Sequence, residues 1–228
     1  MALQNSGNGY FTTGVTNLPI INGNKTVSFW FKVSSTPGGN ALCFNLISTA
    51  GAGAIQIGYR TNVLGTYGWG GNTFVAAAVN PSNGVLNLFT YTYDGTTHTL
   101  YLNGTYSNST STAAQTGTPN SMELFGNQWT ENITILMEDI RIYNRDISAA
   151  EVSTIYACRG HDCILSGLAS RWTLNEGASG TSPALVSNIK DQSLNGNNGL
   201  AVPAGLLSGY QYQDSQLTYL TNRNSSWQ

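Results

Sequence analysis

The segment TVSFWFKVS (26–34) alternates without a break: Val27, Phe29, Phe31 and Val33 fall on one side, with Ser28, Trp30 and Lys32 on the other. Successive side chains of a strand point to opposite faces, so this pattern predicts a strand with one face in a core. ALCFNLIST, AIQIGYR, TFVAAAV, VLNLFTYTY, HTLYLNG, SMELFG and ITILMEDIRIYN follow at short intervals. Turn-forming groups separate many of them: Pro37-Gly38-Gly39, Asn83-Gly84, Asp94-Gly95 and Asn103-Gly104. Many short strands with regular turn signals predict an all-β fold, a two-sheet antiparallel jelly-roll sandwich. LFTYTYDGTTHTLYLNG reads as strand, turn, strand, turn, with Leu100 and Leu102 on one face and Tyr101 on the other. One segment is helical. In DISAAEVSTIYA, Ser148 and Glu151 form a capping box, and Val152, Ile155 and Tyr156 recur at helical spacing. This predicts one short helix near 149–157, plugging one end or side of the sandwich.

Composition supports this reading. The 228 residues are 40% hydrophobic, enough for one substantial core. Only 9% are charged, against roughly 25% in ordinary soluble proteins. The net charge is −2. With no basic patch, nucleic-acid binding is not expected. No apolar run is long enough to cross a membrane, and residues 1–14 lack the basic start and apolar core of a signal peptide. A polar surface with few charges is weakly protected against association. Either partners cover it, or the Asn- and Thr-rich composition is a bias without structural meaning.

Chemistry-bearing residues are sparse. The cysteines Cys43, Cys158 and Cys163 are odd in number, which argues against a disulfide framework. CRGHDC gathers Cys158, His161 and Cys163, three residues where structural zinc takes four. Free thiols are expected there, with a local disulfide or a metal as alternatives. His98 and His161 read as surface imidazoles. Glycoside hydrolysis needs two carboxyl groups at a set separation. Glu123, Glu131, Glu138, Glu151 and Glu176 show no such pattern, and Glu138 and Asp139 fall on opposite faces of one strand. No catalytic residue is expected, and the protein reads as a non-enzyme. Asp191, Ser193 and Asn195 in DQSLNGN have the alternating oxygens of a calcium loop. The alternative there is an Asx-type turn, and no other metal or cofactor is expected. TYGWGGNT (66–73) offers Tyr67, Trp69 and Asn72, and FGNQWTEN (125–132) offers Asn127, Gln128 and Trp129. Both read as loops, where an exposed tryptophan needs a glycan, a protein neighbour or the sandwich rim as cover.

Three blocks together resemble the laminin-G-like, concanavalin A-like lectin/glucanase superfamily. They are Trp30 with Lys32, Tyr93-Asp94-Gly95 with Leu100 to Gly104, and the run from Asp139 through Glu151. The resemblance covers about residues 8–157 and implies a concanavalin A-like jelly roll. The glucanases' E-x-D-x-x-E strand is absent. A block that often opens family members stands here at 171–199, RWTLNEGASGTSPALVSNIKDQSLNGNNG. This implies a circular permutant: a single jelly roll over 1–204, with 165–204 supplying the usual first strands. A truncated second copy starting at residue 165 is the alternative. Residues 205–228 read as one more strand or an arm to a neighbour. The family's shape is found in lectins, adhesive modules and phage or viral virion proteins. The expected function is a non-enzymatic virion structural protein, a capsid decoration or cement subunit or a tail or fibre component. It would sit on the virion surface, homo-oligomeric and in contact with other virion subunits. The rival is a carbohydrate-binding, lectin-like adhesion module.

Overall fold

A computed structural model of the chain describes residues 2–6, 11–14, 18, 23–48, 54–68, 72–113, 117–126, 131–181, 189–193, 195–197, 200–201, 210–215 and 217. The described strands, in chain order, are β1 (Ala2–Ser6), β2 (Phe11–Gly14), β3 (Lys25–Lys32), β4 (Ala41–Ser48), β5 (Ala54–Arg60), β6 (Val63–Tyr67), β7 (Thr73–Ala76), β8 (Asn87–Tyr93), β9 (Thr97–Leu102), β10 (Thr105–Ser111), β11 (Pro119–Leu124), β12 (Thr134–Tyr143), β13 (Leu168–Trp172), β14 (Leu200–Ala201) and β15 (Tyr210–Gln213). One helix, α1 (Ala149–Cys158), follows β12. Two antiparallel sheets form the sandwich. The first runs β10-β9-β8-β3-β12-β1-β15, with β13 also on β12; the second runs β14-β2-β11-β4-β5-β6-β7. Strands from beyond residue 165 enter both sheets: β13 on β12, β14 on β2 and β15 on β1.

The alternation of β3 accounts for its place in the first sheet. Val27, Phe29, Phe31 and Val33 enter the core between the sheets. There Phe29 stacks on Phe89 at 5.3 Å and on Phe44, from the second sheet, at 6.3 Å. Trp30, on the opposite face, starts a second apolar cluster with Leu88, Tyr143, Ile147, Val152, Ile155 and Leu217. That cluster is roofed by α1, so the helix covers one side of the first sheet. Tyr156 stacks on the Trp30 ring at 5.5 Å, and the Arg159 guanidinium lies 4.6 Å from it. The capping box is formed in full, with Ser148 Oγ accepting from the Glu151 N–H and the Glu151 carboxylate accepting from the Ser148 N–H. Arg145 adds a bidentate pair to Glu151 at 2.6 and 2.9 Å. Among the described residues no helix is long and apolar enough to cross a membrane.

β12 breaks register between Glu138 and Arg141, where Asp139 has φ +47°. A bulge swings the strand and re-aims its side chains. Beyond it β12 pairs with β13, while its first half pairs with β1. The re-aimed Asp139 carboxylate accepts from Arg141 at 2.7 and 2.9 Å and from Arg171 at 2.7 Å. All three side chains are buried. A buried carboxylate between two guanidinium groups is satisfied only in this geometry, so the pair ties β12 to β13.

Candidate functional site

The unroofed part of the first sheet's outer face holds the candidate site. Register places Gln4 of β1 opposite Leu136 of β12, and Leu136 opposite Lys32 of β3. Their neighbours Leu3, Met137 and Phe31 face the core, so Gln4, Leu136 and Lys32 form one row on the outside. A cleft of about 250 Å³ opens over this row, lined by Gln4, Lys32, Ser34, Gly84, Thr134, Ile135 and Leu136. The rim is fixed: the Gly84 N–H donates to Val33 O at 2.8 Å, and Asn83 bonds Thr36. Leu136 is buried yet belongs to neither apolar cluster, so it forms the cleft's floor. The side chains of Gln4 and Lys32, half-buried, and of Ser34 and Thr134, exposed, have no hydrogen-bond or ion-pair partner among the described residues. An apolar floor with several convergent polar side chains is suited to a small polar ligand, although the lining residues are more often polar than those of most ligand pockets. The alternation of 26–34 turns Lys32 away from the core face of Val27, Phe29 and Phe31 but does not mark it as part of a site. The other members come together only through register.

The residues expected as contacts lie elsewhere. Tyr67 is 2% exposed. Its hydroxyl donates to Val63 O at 2.8 Å, and the Arg60 guanidinium covers its ring at 5.2 Å. It is therefore not a platform for a sugar; the alternation of β6 turns it under Arg60 rather than into a loop. Burial pushes its phenol up, and Arg60 opposes that. Tyr67 ends an internal polar row on the second sheet's outer face, with Glu123, Asn45 and Gln56 in register beside it. Asn45 donates to Glu123 at 2.9 Å, and Arg60 donates to Gln56 at 2.8 Å. Asn72 is exposed, and its carbonyl accepts from the Gly68 N–H at 2.8 Å. Trp69, Asn127, Gln128 and Trp129 lie outside the described residues.

The DQSLNGN segment is built as an Asx turn. Asp191 accepts three backbone N–H groups, from Arg171 and Ser193 at 2.9 Å each and from Asn197 at 3.1 Å. Ser193 and Asn195 donate to Ala169 O at 3.1 and 2.8 Å. A carboxylate already engaged by three donors, beside an amide that presents its nitrogen, does not fit a calcium cage. At the CRGHDC loop the thiols are free. His161 O accepts from Arg141 at 2.7 Å, and Cys163 Sγ lies 3.4 Å from Arg141 Nη1. Arg171 donates to Gly160 O at 2.7 Å and is paired with Asp162. The loop thus closes over the two buried guanidinium groups. Among the described residues no group of three metal-ligating side chains occurs. Burial, then the Cys163 thiol, pushes Cys158 up to about 11.

His98 is not a surface imidazole. It is 0% exposed, between Phe74 at 4.6 Å and Tyr93 at 4.4 Å. Its Nε2 faces Thr112 O at 2.9 Å, and its Nδ1 faces the Tyr91 hydroxyl at 2.8 Å. A carbonyl only accepts, so Nε2 carries the proton and Nδ1 accepts from Tyr91. Burial pulls its pKa down to about 4; the Thr112 carbonyl and Asp94 oppose this, and Lys25 adds to it. The alternation of β9 places His98 on the face of Leu100, so the strand pattern itself carries it inward. Beside it, Lys25 donates to Gly23 O and lies 4.5 Å from the Tyr93 ring. Burial lowers this amine to about 7.

Residues 5–153 match the family described as the concanavalin A-like lectin/glucanases superfamily, and the chain belongs to it. Similar solved structures include a putative carbohydrate binding protein from Bacteroides ovatus ATCC 8483 (TM-score 0.67, 15% identity, 95% of this chain and 61% of that one). A heptameric SAP-like pentraxin from Limulus polyphemus follows (TM-score 0.57, 12% identity, 70% of this chain and 82% of that one). The binding domain of Botulinum neurotoxin serotype G is also similar (TM-score 0.53, 16% identity, 68% of this chain and 42% of that one). The chain thus spans less than two thirds of the Bacteroides and neurotoxin chains. At these identities the likeness concerns the fold: a lectin-like jelly roll. No match was found among curated proteins.

Proposed function

We propose that the protein is a non-enzymatic, lectin-like binding module that takes a carbohydrate residue in the cleft between β1, β12 and β3. The observation that carries this reading is the set of four unpartnered polar side chains, Gln4, Lys32, Ser34 and Thr134, around the apolar floor of Leu136. Sugar hydroxyls both donate and accept, which suits amide and hydroxyl partners, while the floor suits a ring's apolar face. The carboxylates do not suggest hydrolysis. Glu123 is tied to Asn45, Glu138 to Ser215 and Glu151 to Arg145, on separate parts of the fold. A glycan array followed by calorimetric titration tests the reading. Wild type is expected to bind a sugar that Gln4→Ala with Thr134→Val binds at least tenfold more weakly. Unchanged affinity in that double variant would overturn the assignment of the cleft.

A second reading is a virion or other assembly subunit that carries this module. It is favoured by β10, whose seven residues are uncharged, end the first sheet and are largely exposed. Ser107 accepts from the Ala78 N–H and Asn108 donates to Ala76 O, which leaves the uncharged edge at 109–111 as the part that invites another chain to pair with it. Light scattering tests this. A defined oligomer that Ser109→Lys dissociates supports assembly through β10, and a monomer at all concentrations removes that support. On either reading the chain is one permuted jelly roll, with β13 and β14 standing for the family's opening strands.

A further inference from the structure

We infer that the sugar taken by the cleft carries a carboxylate and that Lys32 selects it. This rests on the cleft being the binding site. Lys32 is the one charged residue among those lining the cleft, and its amine meets no carboxylate among the described residues. It stands half-buried at the end of β3, beside the floor residue Leu136. An ammonium with no carboxylate partner among the described residues, on a stem half-buried at the cleft wall, is placed to give a ligand anion a charge-assisted hydrogen bond.

The other groups fix how such a ligand would lie. Glu138 is on the same outer face, two residues along β12 from Leu136, and its carboxylate accepts from Ser215 Oγ. It makes that end of the face unfavourable for a second anion and leaves the Lys32 end as the place for the ligand's charge. Gln4, Ser34 and Thr134 offer an amide and two hydroxyls for the sugar's own hydroxyls. A volume of about 250 Å³ lies below the roughly 300–1,000 Å³ of drug-sized sites. It suits one sugar residue. The cleft has one amine and no guanidinium fork, so it offers a single point charge rather than a bidentate clamp. A monoanionic uronate or sialate residue matches this set.

The test is calorimetric titration of the full chain with uronate- and sialate-terminated sugars, their methyl esters and neutral counterparts. The ester removes the charge and keeps the shape. The acid is expected to bind about tenfold more tightly than its ester, a preference that shrinks in high salt. Lys32→Gln is expected to abolish the preference by weakening only the acid, and Lys32→Arg to retain it. Equal binding of acid and ester, or a preference that survives Lys32→Gln, would overturn the inference. If only neutral sugars bind and Gln4→Ala abolishes that binding, the inference falls while the carbohydrate reading stands. If no sugar of any class binds, both fall.

Discussion

His98 has no vacancy for a second proton. Its Nε2–H is given to Thr112 O, and its Nδ1 is occupied by the Tyr91 hydroxyl. The groups facing it are Lys25, Asp94, Tyr91 and Tyr93. The sign of the consequence follows from linkage. The native pKa, about 4, lies below the ordinary 6.5, so the unfolded chain binds the proton first. Stability from this site is complete above 6.5 and is lost as pH falls from there to about 4. Lys25 acts in the same sense higher up: its pKa of about 7 lies below the usual 10.5, so its contribution is lost as pH falls from 10.5 to about 7. Urea unfolding across pH is expected to show both windows, the lower one absent in His98→Phe and the upper one in Lys25→Met. A flat profile in wild type would contradict this placement. Thiol labelling offers a second residue-scale check. Cys43 is buried, with its thiol pushed up by burial, while Cys158 and Cys163 are half-buried. Native protein is expected to label at Cys158 and Cys163, and at Cys43 only on unfolding, as read by mass spectrometry. At this scale the sequence was a partial guide. It exposed Trp30 and Lys32 as a pair but not their divergent roles, one under α1 and the other in the cleft. It misplaced His98 and Tyr67, because their polar tips suggest the surface, whereas the alternation of β9 carries His98 inward with Leu100 and Arg60 covers Tyr67.

The elements were more legible because their signals are local. The Asp139-to-Glu151 run that marks the family turns out to be a set of structural ties. Asp139 and Arg141 form the bulge pair, Arg145 and Glu151 an ion pair, and Ser148 the helix cap. Replacing the cap, Ser148→Ala, is expected to lower stability by about 1 kcal/mol. Arg171→Met should cost more, about 3 kcal/mol, because it leaves the buried Asp139 with half its partners. Both are measured by denaturant unfolding, and the reverse ranking would contradict the Asp139 network. The bulge at Asp139 was not legible: nothing local distinguishes a strand that continues from one that swings between two partners.

Sheet order belongs to the whole molecule. The two-sheet jelly roll followed from strand count, spacing and turn signals, but no periodicity says that β12 pairs with β3, β1 and β13 together. The cleft depends on that arrangement, since Gln4 and Lys32 become neighbours only across β12. Deep in the shared core, Phe29→Ala is expected to destabilise by about 3–5 kcal/mol, because its ring contacts both sheets. The central claim is that this arrangement makes a carbohydrate site on the outer face of the first sheet. Its most direct test is amide chemical-shift mapping during titration with a sugar the protein binds. Shifts concentrated at Gln4, Lys32, Ser34, Thr134 and Leu136 are the predicted result. Shifts confined to the second sheet or to the loops around Asn72, with the cleft amides unmoved, would contradict it.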